Sequence, residues 1–231
     1  IMLEKNINRL VLAADDPKKT IEEACRVSGK KAVGWVAPYA PQEIIEAAGC
    51  IPVGLWGGQA ELKKARTYLP PFACSIMQSI MEYETDGTYD ILSAVLIPAV
   101  CDTLKCFGQK WKGKCPAIPF VHPQNRRDDN SVAFLTSEYQ MIRKKLEEIL
   151  QVEITDQKIS ESIILYNEYR SVMREFTGLA AEYPLTITPT VRHKIIKAGY
   201  FMEKAEYIAI MKQINSGLRL RKPEGSEDRK V

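Results

Sequence analysis

Val95-Leu-Ile-Pro-Ala-Val-Cys-Asp102 decides how this chain is read. An apolar run followed by Pro98, a cysteine and an aspartate reads as a buried strand that turns directly into a helix. A second segment of this kind, Leu69-Pro-Pro-Phe-Ala-Cys-Ser75, delivers Cys74 to another such turn. A thiol at a helix N-terminus faces exposed amide N–H groups, which favour the thiolate, and thiolates are the protein ligands of iron–sulfur clusters. Cys74 and Cys101 are therefore candidate metal ligands. Spacing alone is weak support, because the chain has no Cys-x-x-Cys pair and buried structural cysteine is the commoner case. Cys106, about one helical turn beyond Cys101, stands in reserve as a ligand. Cys25 and Cys50 lie in apolar settings and read as packing residues, and Cys115 in Lys-Gly-Lys-Cys-Pro reads as loop or strand-entry structure.

Outward from Cys101, short apolar runs alternate with amphipathic segments. Strands are expected at 32–36, 51–55, 94–97 and 117–121, with helices at 42–48, 61–68, 75–82 and 103–112 between them. Pro41 suits the first turn of a helix and Gly49 its end. Strands alternating with helices predict an α/β fold, a doubly wound and mostly parallel sheet of Rossmann-like type. Such sheets bind ligands outside the carboxyl ends of their strands, where Cys101 falls. Residues 1 to about 30 read as helical, and long charged helices are expected at 131–150, 156–182, 191–203 and 206–220. Residues 1–130 are thus expected to form the α/β domain with N-terminal helices and ligand loops, and residues 131–231 a helical region. The segment from Lys222 to Val231 reads as a linker entering a further strand.

Composition narrows the function classes. The 231 residues are 45% hydrophobic and 26% charged, with a net charge of +3 and interleaved signs. That is a globular composition without the basic footprint of a nucleic-acid binder or a partner for anionic membranes. No apolar run approaches the roughly 18 residues of a membrane span, and the start of the chain is not a signal peptide. Six cysteines without secretory features point to a reducing, cytoplasmic setting. No Gly-x-Gly-x-x-Gly fingerprint, Walker loop, nucleophile elbow or His-Glu-x-x-His motif occurs. His122 and His193 have no ligand-spaced neighbours and read as structural. Asp102 is expected to cap the helix after Cys101.

Taken in order, these residues resemble the 2-hydroxyacyl-CoA dehydratase and benzoyl-CoA reductase family over essentially the whole chain. The resemblance is carried by Gly34, Tyr39-Ala-Pro41-Gln-Glu43, Ala48-Gly49, Pro52, Leu69-Pro70, Cys74-Ser75, Pro98, Cys101-Asp102, Trp111, and Asn167 with Arg170. Gly54-Leu-Trp-Gly-Gly-Gln59 and Phe72-Ala-Cys-Ser-Ile-Met-Gln-Ser79 are similar to beta subunits of the dehydratase branch. The resemblance implies a [4Fe–4S] cluster held by Cys74 and Cys101, with a third cysteine ligand in a second α/β domain outside this chain. It implies one-electron reduction of a (R)-2-hydroxyacyl-CoA thioester to a ketyl radical, expulsion of the hydroxyl, deprotonation, and return of the electron to leave an enoyl-CoA. The implied partners are a paralogous alpha-type subunit, an ATP-dependent iron–sulfur activator and the acyl-CoA substrate, with no role for nucleic acid or membrane. Flavin mononucleotide is compatible with the family but has no motif here.

Two departures qualify the transfer. The chain ends where the second domain is expected, so it is expected to hold a cluster poorly and to be inactive alone. The segment Val36-Ala-Pro38 lacks the hydroxyl residue expected where substrate meets the cluster, which favours an electron-relaying, beta-type role. Two other readings remain at this point: a benzoyl-CoA-reductase-type subunit, and a non-catalytic assembly module whose cysteines are core thiols.

Overall fold

Four apolar runs form one parallel sheet, β1 (Ala32–Trp35), β2 (Ile51–Gly54), β3 (Leu92–Pro98) and β4 (Ala117–Phe120). Their order is β2-β1-β3-β4, with Ala32 opposite Ile51, Gly34 opposite Val95 and Leu96 opposite Ile118. Nearly every residue of the first three strands is buried, so they read as continuous apolar runs without alternation. Pro52 and Pro119 lie in β2 and β4, the two edge strands, where a missing N–H costs the ladder least. Helices α3 (Gln42–Ala47), α4 (Ala65–Tyr68), α5 (Ser75–Thr85) and α6 (Asp102–Lys110) lie along the connections, and α7 (Asp129–Leu150) follows β4. This computed structural model describes residues 2–36, 39–58, 60–111, 113–125 and 127–224. It has the α/β architecture expected from the sequence.

The chain divides into two compact units, Cys25–Ile159, which holds the sheet, and Ile1–Ala24 together with Ser160–Val231. The second unit is built from α1 (Met2–Asp15), the greater part of α2 (Pro17–Ser28) and of α8 (Asp156–Ala180), α9 (Pro189–Ala198) and α10 (Lys204–Arg219). In it α1 packs on α9 and α10, burying Leu10, Phe176, Ile195 and Met211 completely. Thr188 caps α9 by accepting the Val191 N–H at 3.3 Å, and Pro189 occupies the first turn, where its missing N–H is harmless. Among the described residues no helix is long and apolar enough to cross a membrane.

Two helices are shorter than their sequence patterns predict. The expected helix 61–68 keeps only its last turn, because the Lys63, Lys64 and Ala65 N–H groups are taken by the Glu82 carboxylate. The expected helix 191–203 stops at Ala198. There the buried Lys204 ammonium donates to the Gly199 carbonyl at 2.7 Å, and the backbone at Gly199 passes so close to the Tyr207 ring that a Cβ would lie 2.9 Å from it. Of the terminal linker, residues 225–231 lie outside the described residues. Glu224 is tied back, its N–H to the Glu182 carbonyl at 2.8 Å and its carboxylate to the N–H groups of Leu185 and Thr186.

Candidate metal centre

Right-handed crossovers between parallel strands place the N-terminus of each connecting helix at the carboxyl edge of the sheet. The connections carrying α5 and α6 both cross in the same direction, from β2 to β3 and from β3 to β4, so the two helices share a face and pack on each other. Each begins at a cysteine. Cys74 is the extended N-cap residue of α5 (φ −64, ψ 153) and Cys101 that of α6 (φ −152, ψ 167). Their carbonyls accept the first helical bonds, from the Gln78 N–H at 3.1 Å and the Lys105 N–H at 3.0 Å. Neither thiol caps its own helix, and both are exposed. The fold therefore sets two accessible thiols at the starts of neighbouring helices on one sheet edge. Cys106 lies in the second turn of α6 and is half-buried.

The other thiols are in different surroundings. Cys50 and Cys115 are buried, and burial pushes both up to about 11, while it also raises Cys25. Neutral thiols of that kind are poor ligands and poor nucleophiles. Soft sulfur donors at Cys74 and Cys101 suit an iron–sulfur group. Among the described residues no group of three or more His, Cys, Asp or Glu side chains is gathered within metal-binding reach. The donor set thus fits part of a cluster, and a cubane needs further ligands from elsewhere.

Asp102 does not cap α6 as its sequence suggests. Cys101 takes the N-cap position, leaving Asp102 in the first turn, where its exposed carboxylate pairs with Lys105 at 3.3 Å. Beyond β3 the ladder continues as the Ala99 N–H donates to the Phe120 carbonyl at 2.7 Å, so the Cys101 turn starts from a fixed strand end. Beside it lies a cavity of about 450 Å3, lined among others by Ala99, Lys105, His122, Asn130 and Phe134. Its His122 ring packs against Tyr39 in a tilted arrangement, with centroids 4.4 Å apart and planes at 40°. Tyr39 holds φ at 82, a costly value for an aromatic residue, and its carbonyl accepts from the Tyr139 hydroxyl at 3.1 Å. Of the segment expected to distinguish substrate-binding from relaying subunits, Ala37 and Pro38 lie outside the described residues.

Sequence reasoning missed Gln78 and Glu82. Glu82 looks like one of many solvated helix carboxylates, yet it is buried at 8% exposure and holds three backbone N–H groups. The available signal was its four-residue separation from Gln78, which puts both on one face of α5.

With this geometry in place, similarity to known proteins becomes informative. Residues 38–231 match the family model described as 2-hydroxyglutaryl-CoA dehydratase, D-component. The chain is 43% identical over 230 residues to the beta subunit of lactoyl-CoA dehydratase from Anaerotignum propionicum, covering 99% of this chain and 62% of that protein. It is 39% identical over 231 residues to the (R)-phenyllactyl-CoA dehydratase beta subunit of Clostridium sporogenes, with the same shares covered. A benzoyl-CoA reductase subunit from Thauera aromatica is 29% identical over 188 residues, covering 79% of this chain and 49% of that protein. The chain thus spans less than two thirds of the length of these relatives.

Proposed function

This chain belongs to the 2-hydroxyglutaryl-CoA dehydratase D-component family, and on that premise we propose that it works as part of the beta-type subunit of a lyase. The proposed reaction removes water from a (R)-2-hydroxyacyl-CoA to give an enoyl-CoA by a radical route. The observation that carries the reading is the pair of exposed N-cap thiols, Cys74 and Cys101, on neighbouring helices at one sheet edge. These two residues would hold a [4Fe–4S] cluster whose remaining ligands come from outside the described residues. When bound, that cluster supplies a single low-potential electron. The alpha-type subunit takes the acyl-CoA, and an ATP-dependent iron–sulfur activator provides the electron at the start of turnover. Identity of 43% to a dehydratase subunit, against 29% to the reductase one, supports dehydration over ring reduction.

The chain's own residues have defined tasks in this scheme. The α5 and α6 backbones orient the two sulfurs, and their first-turn N–H groups place partial positive charge beside them. Cys50 and Cys115 stay protonated and do not compete for iron. The test is anaerobic iron–sulfide reconstitution of the subunit at the length of its relatives, together with its alpha-type partner and activator. About four irons per subunit and turnover of a 2-hydroxyacyl-CoA are expected. Cys101→Ser is expected to abolish both while the fold persists, since the change nearly preserves volume. Full turnover in that variant defeats the assignment and passes the ligand role to Cys106.

A further inference from the structure

Cys74 stands at the foot of an arch whose two ends are bonded to the helix that Cys74 begins. The arch runs from Lys63 through the single turn of α4 and Leu69-Pro-Pro-Phe-Ala73. At its start, the Glu82 carboxylate accepts the N–H groups of Lys63 at 3.1 Å, Lys64 at 2.9 Å and Ala65 at 2.9 Å. At its end, the Gln78 side-chain amide donates to the Ala73 carbonyl at 2.6 Å. Gln78 and Glu82 are one helical turn apart, so one face of α5 grips both feet. A cavity of about 340 Å3 under the arch is lined by Arg66, Leu69, Pro70, Pro71 and Gln78.

The chemistry of each grip is specific. A carboxylate is acceptor-only and matches three N–H donors converging on its Oε2 at the start of α4, whereas an amide in its place loses the negative charge and sets an NH2 group where Oε1 accepts from the Lys64 N–H. Gln78 supplies the opposite polarity, a donor for a carbonyl one residue before Cys74. Because the Cys74 thiol makes no capping bond of its own, the point from which its sulfur projects is set by this backbone turn. We infer that Gln78 and Glu82 are positioning residues for the Cys74 thiol, fixing the arch that leads into its backbone turn. The inference rests on the reading of Cys74 as a metal ligand.

The test uses Cd2+ as a soft thiophilic probe of the metal-free subunit at the length of its relatives, read by sulfur-to-cadmium charge-transfer absorption. Wild type is expected to bind Cd2+ through Cys74 and Cys101, and Cys74→Ser to lose the band. Gln78→Ala and Glu82→Gln are each expected to weaken binding about fivefold or more, the scale set by one hydrogen bond. The melting temperature of Gln78→Ala is expected to stay near that of wild type. If Glu82→Gln fails to fold, Gln78→Ala alone decides. Unchanged Cd2+ affinity in a folded variant overturns the positioning role while leaving the ligand reading intact. Absence of the band in wild type overturns the ligand reading itself, and the inference with it.

Discussion

The helical unit and the carboxyl edge of the sheet treat their polar groups in opposite ways. In the helical unit Lys204 and Asn215 are each 2% exposed, and each donates to a backbone carbonyl, that of Gly199 at 2.7 Å and of Val172 at 3.1 Å. The Lys204 ammonium also lies 4.3 Å from the centre of the Tyr169 ring. The buried Tyr207 hydroxyl donates to the Ile195 carbonyl at 2.9 Å. At the sheet edge the reverse holds: two thiols start helices, face solvent and leave the helix N-termini without side-chain caps. Hydrogen-bonded polar groups rigidify a core, though the Asn215 Oδ1 is buried here without a partner among the described residues. Exposed thiols at helix N-termini are the positions proposed to meet a ligand. The contrast teaches that stability and chemistry are written into different stretches of this chain.

That contrast can be broken by mutation. The largest stability effect is expected from Phe176→Ala, which empties a fully buried site in the helical core and costs about 3–5 kcal/mol in denaturant unfolding. Folded molecules of that variant should bind Cd2+ with wild-type affinity. A weakened Cd2+ site would show that the two regions are not independent.

A smaller effect is expected from acid. The Arg221 guanidinium bonded to Glu4 holds its carboxyl down at about 2, against an ordinary value of 4.5. A depressed carboxyl contributes stability that is complete above the ordinary value and disappears as pH falls through the depressed one. Wild type should therefore lose this contribution between about pH 4.5 and pH 2. Glu4→Gln should flatten that part of the melting-temperature profile by lowering the neutral range slightly and converging with wild type in acid, the difference being small because the pair is exposed and solvent-screened. An unaltered acid limb in Glu4→Gln would show that the ion pair is energetically silent.

How much of this was legible in the sequence depends on the range of the forces involved. The strands were legible because each is a short apolar run, the first three buried on both faces, and β1 and β4 begin at the expected residues. The starts of α3, α5 and α8 also coincide with expectation. The truncated α4 was not legible, since its N–H groups go to a carboxylate 17 residues away in sequence. Nor was the docking of α1 on α9 and α10, a contact between opposite ends of the chain that no local pattern encodes. At the candidate site, Cys74 and Cys101 were found because strand-to-helix turns are local. Asp102 was misplaced by one position, because an extended Cys101 claims the cap. For Gln78 and Glu82 the sequence offered only their four-residue spacing, since their partners lie on a loop that only the folded arch brings to them.

The central claim is that Cys74 and Cys101 hold the cluster. Its most direct test is alkylation mapping by mass spectrometry before and after anaerobic iron–sulfide reconstitution of the full-length subunit with its partner. The account predicts that Cys74 and Cys101 are labelled in the metal-free protein and protected once iron is bound, that Cys106 is labelled equally in both, and that Cys50 and Cys115 are labelled in neither. Protection of Cys106 in place of Cys101, or iron uptake that leaves Cys74 and Cys101 fully reactive, would contradict it.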